Sequence, residues 1–134
     1  MPAQTLRILM IEDSRGDAAL IHHALAASDS PRFDLATARS VAEAREHLAA
    51  RWDAVLLDLS LPDSSGLRTL RHVQGAVPGI PIVVLSRNDD PELASRCIAW
   101  GASDFLVKGR ADAAEVRRAL SDAVERRRSE APQS

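Results

Sequence analysis

Uninterrupted apolar runs of strand length alternate along this chain with stretches whose apolar residues recur at helical spacing. The first run is Arg7-Ile8-Leu9-Met10-Ile11, with Glu12-Asp13 directly after it. Continuous apolarity predicts a strand covered on both faces. From Ser14 the period changes, and Ala18, Ile21 and Leu25 share one helical stripe that ends before Asp29-Ser30-Pro31. Phe33-Asp34-Leu35-Ala36 reads as a short second strand. Ser40-Val41-Ala42-Glu43 has the form of a capping box and opens a helix with Val41, Ala44 and Leu48 turned inward. Ala54 to Leu57 is the third strand, ending on Asp58, and Gly66 leads into a helix carrying Leu67, Leu70 and Val73. Gly75 and Pro78-Gly79 bring that helix to a stop.

Ile82-Val83-Val84-Leu85 is the most β-prone run, closed by Ser86. Asp90-Pro91 fits an N-cap followed by the first residue of a helix with Leu93, Cys97 and Trp100 on one stripe, ended by Gly101. Phe105-Leu106-Val107 is the last strand, with Lys108 next. Asp112 and Glu115 cap a final helix bearing Val116, Leu120 and Val124, with Arg126-Arg127-Arg128 in its last turn and a polar tail over 129–134. Arginines there complement a helix C-terminus. Five alternations predict an α/β fold, a doubly wound five-stranded parallel sheet with right-handed crossovers.

In a parallel sheet the strand ends share one edge, so Glu12, Asp13, Asp58, Ser86 and Lys108 are expected to converge there. Ligands of open α/β sheets bind beyond that edge. Three carboxylates repel one another by roughly 4 kcal/mol per pair at 4 Å and an effective dielectric of 20. A hard divalent cation relieves this, and few oxygen ligands with several waters suit Mg²⁺, usually together with a phosphate group. A hydroxyl and an ammonium add a donor and a fixed positive charge for a phosphoryl group. A carboxylate nucleophile forming an aspartyl phosphate uses such a site.

Composition narrows the setting. The chain has 134 residues, 46% apolar and 27% charged, with a net charge of −2. That is enough for one domain with a real core, and it gives no electrostatic case for nucleic acid or an anionic membrane. One cysteine, Cys97, fits a reducing compartment, and the short run Ile8–Ile11 is no signal or membrane span. A cytoplasmic protein is expected. The histidines His22, His23, His47 and His72 lack metal-ligand spacing and read as surface residues. Asp63, between Pro62 and Ser64-Ser65, reads as a turn acid.

The chain from about Leu6 to Arg127 resembles the receiver domain of two-component response regulators, a flavodoxin-like (βα)5 fold with strand order 2-1-3-4-5. The resemblance rests on Ile11-Glu12-Asp13-Ser14, on Asp58 with Pro62 and Gly66 four and eight residues on, on Ser86, on Gly101-Ala102 and on Phe105-Leu106-Val107-Lys108. It implies a receiver domain over 6–128. Asp58 would be the phosphoacceptor. Asp13 and Asp58 would bind Mg²⁺ directly, with Ser60 through its backbone carbonyl and Glu12 through water. Ser86 and Lys108 would hold the phosphoryl group, and Ser86 and Phe105 would act as the switch. Ser60 and Asn88 would tune hydrolysis. A histidine kinase or phosphotransfer protein would be the donor, and an output protein would engage the surface near Ser86, Trp100 and Phe105.

Some positions depart from the pattern. Phe105 lacks a tyrosine hydroxyl, Gly109 replaces the commoner proline after Lys108, Arg87 follows the switch serine where a small residue is usual, and Trp100 replaces a common alanine. The expectation is a stand-alone regulator. A receiver separated from a longer protein is the nearest alternative, and a receiver working without phosphate is disfavoured because all five key groups are present. An aspartyl-phosphate phosphatase would need a second acid two residues after Asp58, where this chain has Ser60.

Overall fold

The computed structural model describes residues 4–47 and 49–130. Its elements are β1 (Thr5–Ile11), α1 (Arg15–Ala26), β2 (Arg32–Ala38), α2 (Val41–Arg45), β3 (Ala54–Leu57), β4 (Ser60–Leu61), β5 (Ser64–Ser65), α3 (Leu67–Ala76), β6 (Ile82–Ser86), α4 (Pro91–Ala99), β7 (Asp104–Val107) and α5 (Ala113–Glu130). The main sheet is parallel, in the order β2-β1-β3-β6-β7. Once the hairpin strands β4 and β5 are set aside, this is the expected 2-1-3-4-5 order.

Strand alternation explains the continuous apolar runs. Leu9, Ile11, Val55, Leu57, Ile82 and Val84 pack on one face with Val41, Leu70, Val73 and Cys97 of α2, α3 and α4. Ile8, Met10, Leu56, Val83 and Leu85 pack on the other with Ile21 and Leu25 of α1 and Val116, Leu120 and Val124 of α5. Both faces are therefore apolar, as a sheet sandwiched by helices requires. Burial also raises the pKa of the Cys97 thiol.

Four segments differ from the sequence reading. β2 runs from Arg32 to Ala38, because every residue pairs with β1 despite Asp34 and Thr37. α2 stops at Arg45, where the i→i+3 bonds Glu46 N–Glu43 O and His47 N–Ala44 O tighten the chain. Trp52 then donates its indole N–H to the His47 carbonyl at 2.9 Å. Leu48, expected on the inner stripe of that helix, lies outside the described residues. α3 passes through Gly75 and ends at Ala76, ahead of Pro78 and Gly79. α5 continues through Ser129 and Glu130, which were expected in the polar tail; residues 131–134 lie outside the described residues.

The loop after β3 is also more ordered than its turn residues imply. Ser60 pairs with Ser65 and Leu61 with Ser64 in an antiparallel hairpin. Asp63 at its tip accepts the backbone N–H groups of Val41 at 3.1 Å and Ala42 at 3.0 Å. Those bonds hold its carboxyl below the usual range, Ala42 contributing most. Ser40 caps the same helix through the Glu43 N–H at 3.0 Å. Asp63→Ala is expected to cost about 1 kcal/mol, as for loss of an N-terminal cap. Urea unfolding reads this, and an unchanged midpoint would contradict the capping role.

Candidate phosphoacceptor site

The sheet ladder continues one residue past the strands, and this sets the site. Glu12 N donates to Ala38 O at 2.9 Å, Asp58 N to Ile11 O at 3.0 Å and Lys108 N to Ser86 O at 2.8 Å. Glu12, Asp58, Ser86 and Lys108 are thereby fixed at one sheet edge. One carboxylate oxygen from each of Glu12, Asp13 and Asp58 lies within 4.8 Å of the others. Glu12 and Asp58 are buried, at 3% and 7% exposure, and Asp13 is half-buried. Asp13 and Asp58 line a cleft of about 460 Å³ together with Ser60, Ser86, Asn88 and Lys108.

Lys108 is the cation at the centre. Its Nζ donates to Asp58 Oδ2 at 2.8 Å, to Asp17 Oδ2 at 2.9 Å and to Glu12 Oε1. Burial alone would lower the Lys108 pKa, but the hydrogen bonds to Asp58, Glu12 and Asp17 outweigh it and raise the value. Burial is likewise the largest influence on Glu12. With the neighbouring Asp58, it pushes that carboxyl up to about 7 against the opposing pull of Lys108. Asp17 moves the other way, held low first by Lys108 and also by Arg87. The second Asp58 oxygen, Oδ1, accepts the Ser60 N–H at 2.9 Å. The Ser86 hydroxyl accepts the Asn88 N–H at 3.1 Å, while Asn88 Oδ1 accepts the Asp90 N–H at 2.9 Å.

The five strand-end groups expected together are together. Phe105 and Trp100 lie elsewhere. Phe105 is half-buried against the core on the α2–α4 face. Trp100 follows α4 at the end away from Asp90, 37% exposed, with the Arg71 guanidinium 4.4 Å from its ring centroid. The Lys108–Gly109 peptide is trans, and Gly109 takes φ +87°. Asp17 was missed by the sequence reading. An acid in the first turn of a helix has an ordinary dipole explanation, and its contact with Lys108 spans 91 residues.

A larger groove of about 860 Å³ lies at the opposite edge of the sheet, near Pro78, Gly79, Pro81 and Arg126. It gathers no comparable group of carboxylates, and it is the wrong edge for ligands of a parallel sheet. The chemistry therefore belongs to the smaller cleft. Three converging hard oxygen donors, two of them buried and compensated by one lysine, fit a divalent cation of the Mg²⁺ type.

Known proteins resemble this chain in sequence and fold. A family model described as the response regulator receiver domain matches residues 8–121. The swarming motility regulation protein RssB of Serratia marcescens is 36% identical over 104 residues, covering 77% of this chain and 46% of RssB. The rice two-component response regulator ORR1 (Oryza sativa subsp. japonica) is 30% identical over 112 residues, 76% of this chain and 48% of that protein. The chain thus spans about half the length of these curated relatives. Among solved structures, the phosphorylated cyanobacterial phytochrome response regulator RcpA aligns with a TM-score of 0.71 at 28% identity, covering 96% of this chain and 97% of that one. With the fold, the acidic cleft and these matches in agreement, the chain belongs to the response regulator receiver domains, phosphorylation-dependent switches of two-component signalling.

Proposed function

We propose that Asp58 accepts a phosphoryl group from the phosphohistidine of a histidine kinase or phosphotransfer protein. The observation that carries this is the setting of Asp58: two more carboxylates within 4.8 Å and the Lys108 ammonium at 2.8 Å. An Asp58 oxygen forms the new bond to phosphorus as the donor P–N bond breaks, and the electron pair leaves on the imidazole. Hydrolysis returns inorganic phosphate and the free carboxylate. Asp13, Asp58 and the Ser60 backbone carbonyl, with Glu12 through water, would hold Mg²⁺, which would supply positive charge against the carboxylates and the transferred group.

Lys108 follows the charge from carboxylate to phosphoryl group, and the Ser86 hydroxyl donates to a phosphoryl oxygen. Phe105 answers the movement of Ser86 from β7, the neighbouring strand. Ser60 and Asn88 border the path of the attacking water and tune hydrolysis. The domain thus takes part in its own phosphorylation and dephosphorylation without turning over a free substrate. Output passes by protein contact near Ser86 and Phe105, in the cytoplasm, without nucleic acid or membrane as partner; Trp100, at the far end of α4, lies too far from Ser86 to share that surface. Among the described residues no helix is long and apolar enough to cross a membrane.

The test is intact mass after incubation with acetyl phosphate and Mg²⁺. The wild-type chain is expected to gain one phosphoryl group and Asp58→Asn none. An adduct that survives Asp58→Asn, or no adduct on the wild type, would overturn the assignment.

A further inference from the structure

One cation at the mouth of the cleft has no part in the scheme above. Arg87 lies between two cleft-lining residues, Ser86 and Asn88, and lines the cleft itself. Its guanidinium Nη2 reaches back to α1 and donates to Asp17 Oδ2 at 3.0 Å. The same oxygen accepts the Lys108 ammonium at 2.9 Å. One carboxylate oxygen is therefore shared by the two cations of the cleft. The Arg87 side chain is 75% exposed, and exposed ion pairs stabilise folds little. Releasing Arg87 from Asp17 thus costs the fold little.

The geometry points to Arg87 as a second phosphoryl-binding cation, parked on Asp17 until a phosphoryl group arrives at Asp58. This rests on Asp58 being the phosphoacceptor. A phosphoryl group brings nearly two negative charges and three acceptor oxygens, whereas Asp17 offers its two partners one charge. The balance for both cations then tips from Asp17 toward the group on Asp58. A guanidinium also matches phosphoryl oxygens with paired, parallel donors. Electrostatic reach is already present: after Asp17, the carboxylates of Glu12 and Asp58 help to raise the Arg87 pKa. Asp17 is a positioning residue in this arrangement. Its Oδ2 holds Lys108 and Arg87 side by side near the site while no phosphoryl group is there.

The experiment measures the rate constant for Asp58 phosphorylation by acetyl phosphate at low donor concentration with saturating Mg²⁺. In this reaction the P–O bond to the acetyl group breaks, acetate leaves with the electron pair and the Asp58 oxygen–phosphorus bond forms. Arg87→Ala is expected to slow the reaction about tenfold, the value of one charge-assisted hydrogen bond. Arg87→Lys should recover part of the loss. The loss should be larger in an Asp17→Asn background, where the arginine is no longer shared, and smaller at high salt, which screens an exposed charge. An Arg87→Ala chain that reacts as fast as the wild type or faster overturns the inference, because the arginine is then a surface partner or a barrier. A wild-type chain that takes no phosphoryl group overturns the phosphoacceptor reading and this inference together. A wild-type chain that reacts, beside an unaffected Arg87→Ala, overturns this inference alone.

Discussion

Lys108→Met is expected to destabilise the metal-free protein by about 3–5 kcal/mol, the cost of removing one partner from a buried ionic group. Methionine keeps much of the stem volume, so the loss is mainly one of charge. The Lys108 side chain is 10% exposed, and its partners Glu12, Asp58 and Asp17 are 3%, 8% and 19% exposed. Without the ammonium these carboxylates face one another across low-dielectric surroundings. Urea unfolding would read the effect as a lowered midpoint. Added Mg²⁺ should restore more stability to the variant than it adds to the wild type, because the ion takes over the compensation that lysine supplied. A variant with the wild-type midpoint in chelator would contradict a site organised around this lysine.

The second large effect is a dependence on pH. Glu12 has an ordinary pKa of 4.5 and is pushed up to about 7 in the fold, chiefly by burial. The folded protein therefore holds the Glu12 proton more tightly than the unfolded chain. The resulting stability is full below pH 4.5 and is lost as pH rises through about 7. The difference corresponds to on the order of 3 kcal/mol. Asp17 and Asp63, whose pKa values are lowered from 3.8, act in the opposite direction, and their contribution is lost only as pH falls below that value. Between about pH 5 and pH 8 the Glu12 effect should dominate. Metal-free wild type is thus expected to lose stability across that range, and Glu12→Gln should flatten the profile. Mg²⁺ affinity should rise over the same range, since metal and proton compete for the carboxylate. A flat wild-type profile would place the Glu12 proton elsewhere.

What the sequence made legible follows from the sheet. Ile8–Ile11, Val55–Leu57 and Ile82–Leu85 are apolar at every position because alternate residues feed two separate cores. Their ends are therefore sharp, and the polar residue after each stands out: Glu12, Asp58 and, at the last position of its strand, Ser86. Lys108 was found by the same logic although β7 is only half-buried along its length. Contacts between side chains on unrelated elements left no such trace. Asp17 and Arg87 are 70 residues apart; Arg87 stood out as a departure after the switch serine, but nothing in the sequence tied it to Asp17. β2 was underestimated because its length comes from pairing with β1 and not from its own composition. α2 was overestimated because its apolar stripe continues on paper past the point where Trp52 claims the His47 carbonyl.

The hairpin after Asp58 bears on how fast the site can respond. Its base is closed by Gly66 N to Leu59 O at 2.8 Å, its side by Thr69 Oγ1 to Ser64 Oγ at 2.8 Å and its tip by Asp63 on α2. Ser60 is thus held in place by the fold itself. The conformational entropy of that segment is lost once, during folding, and not again at each binding event. A ligand that meets this edge therefore has no loop search to wait for.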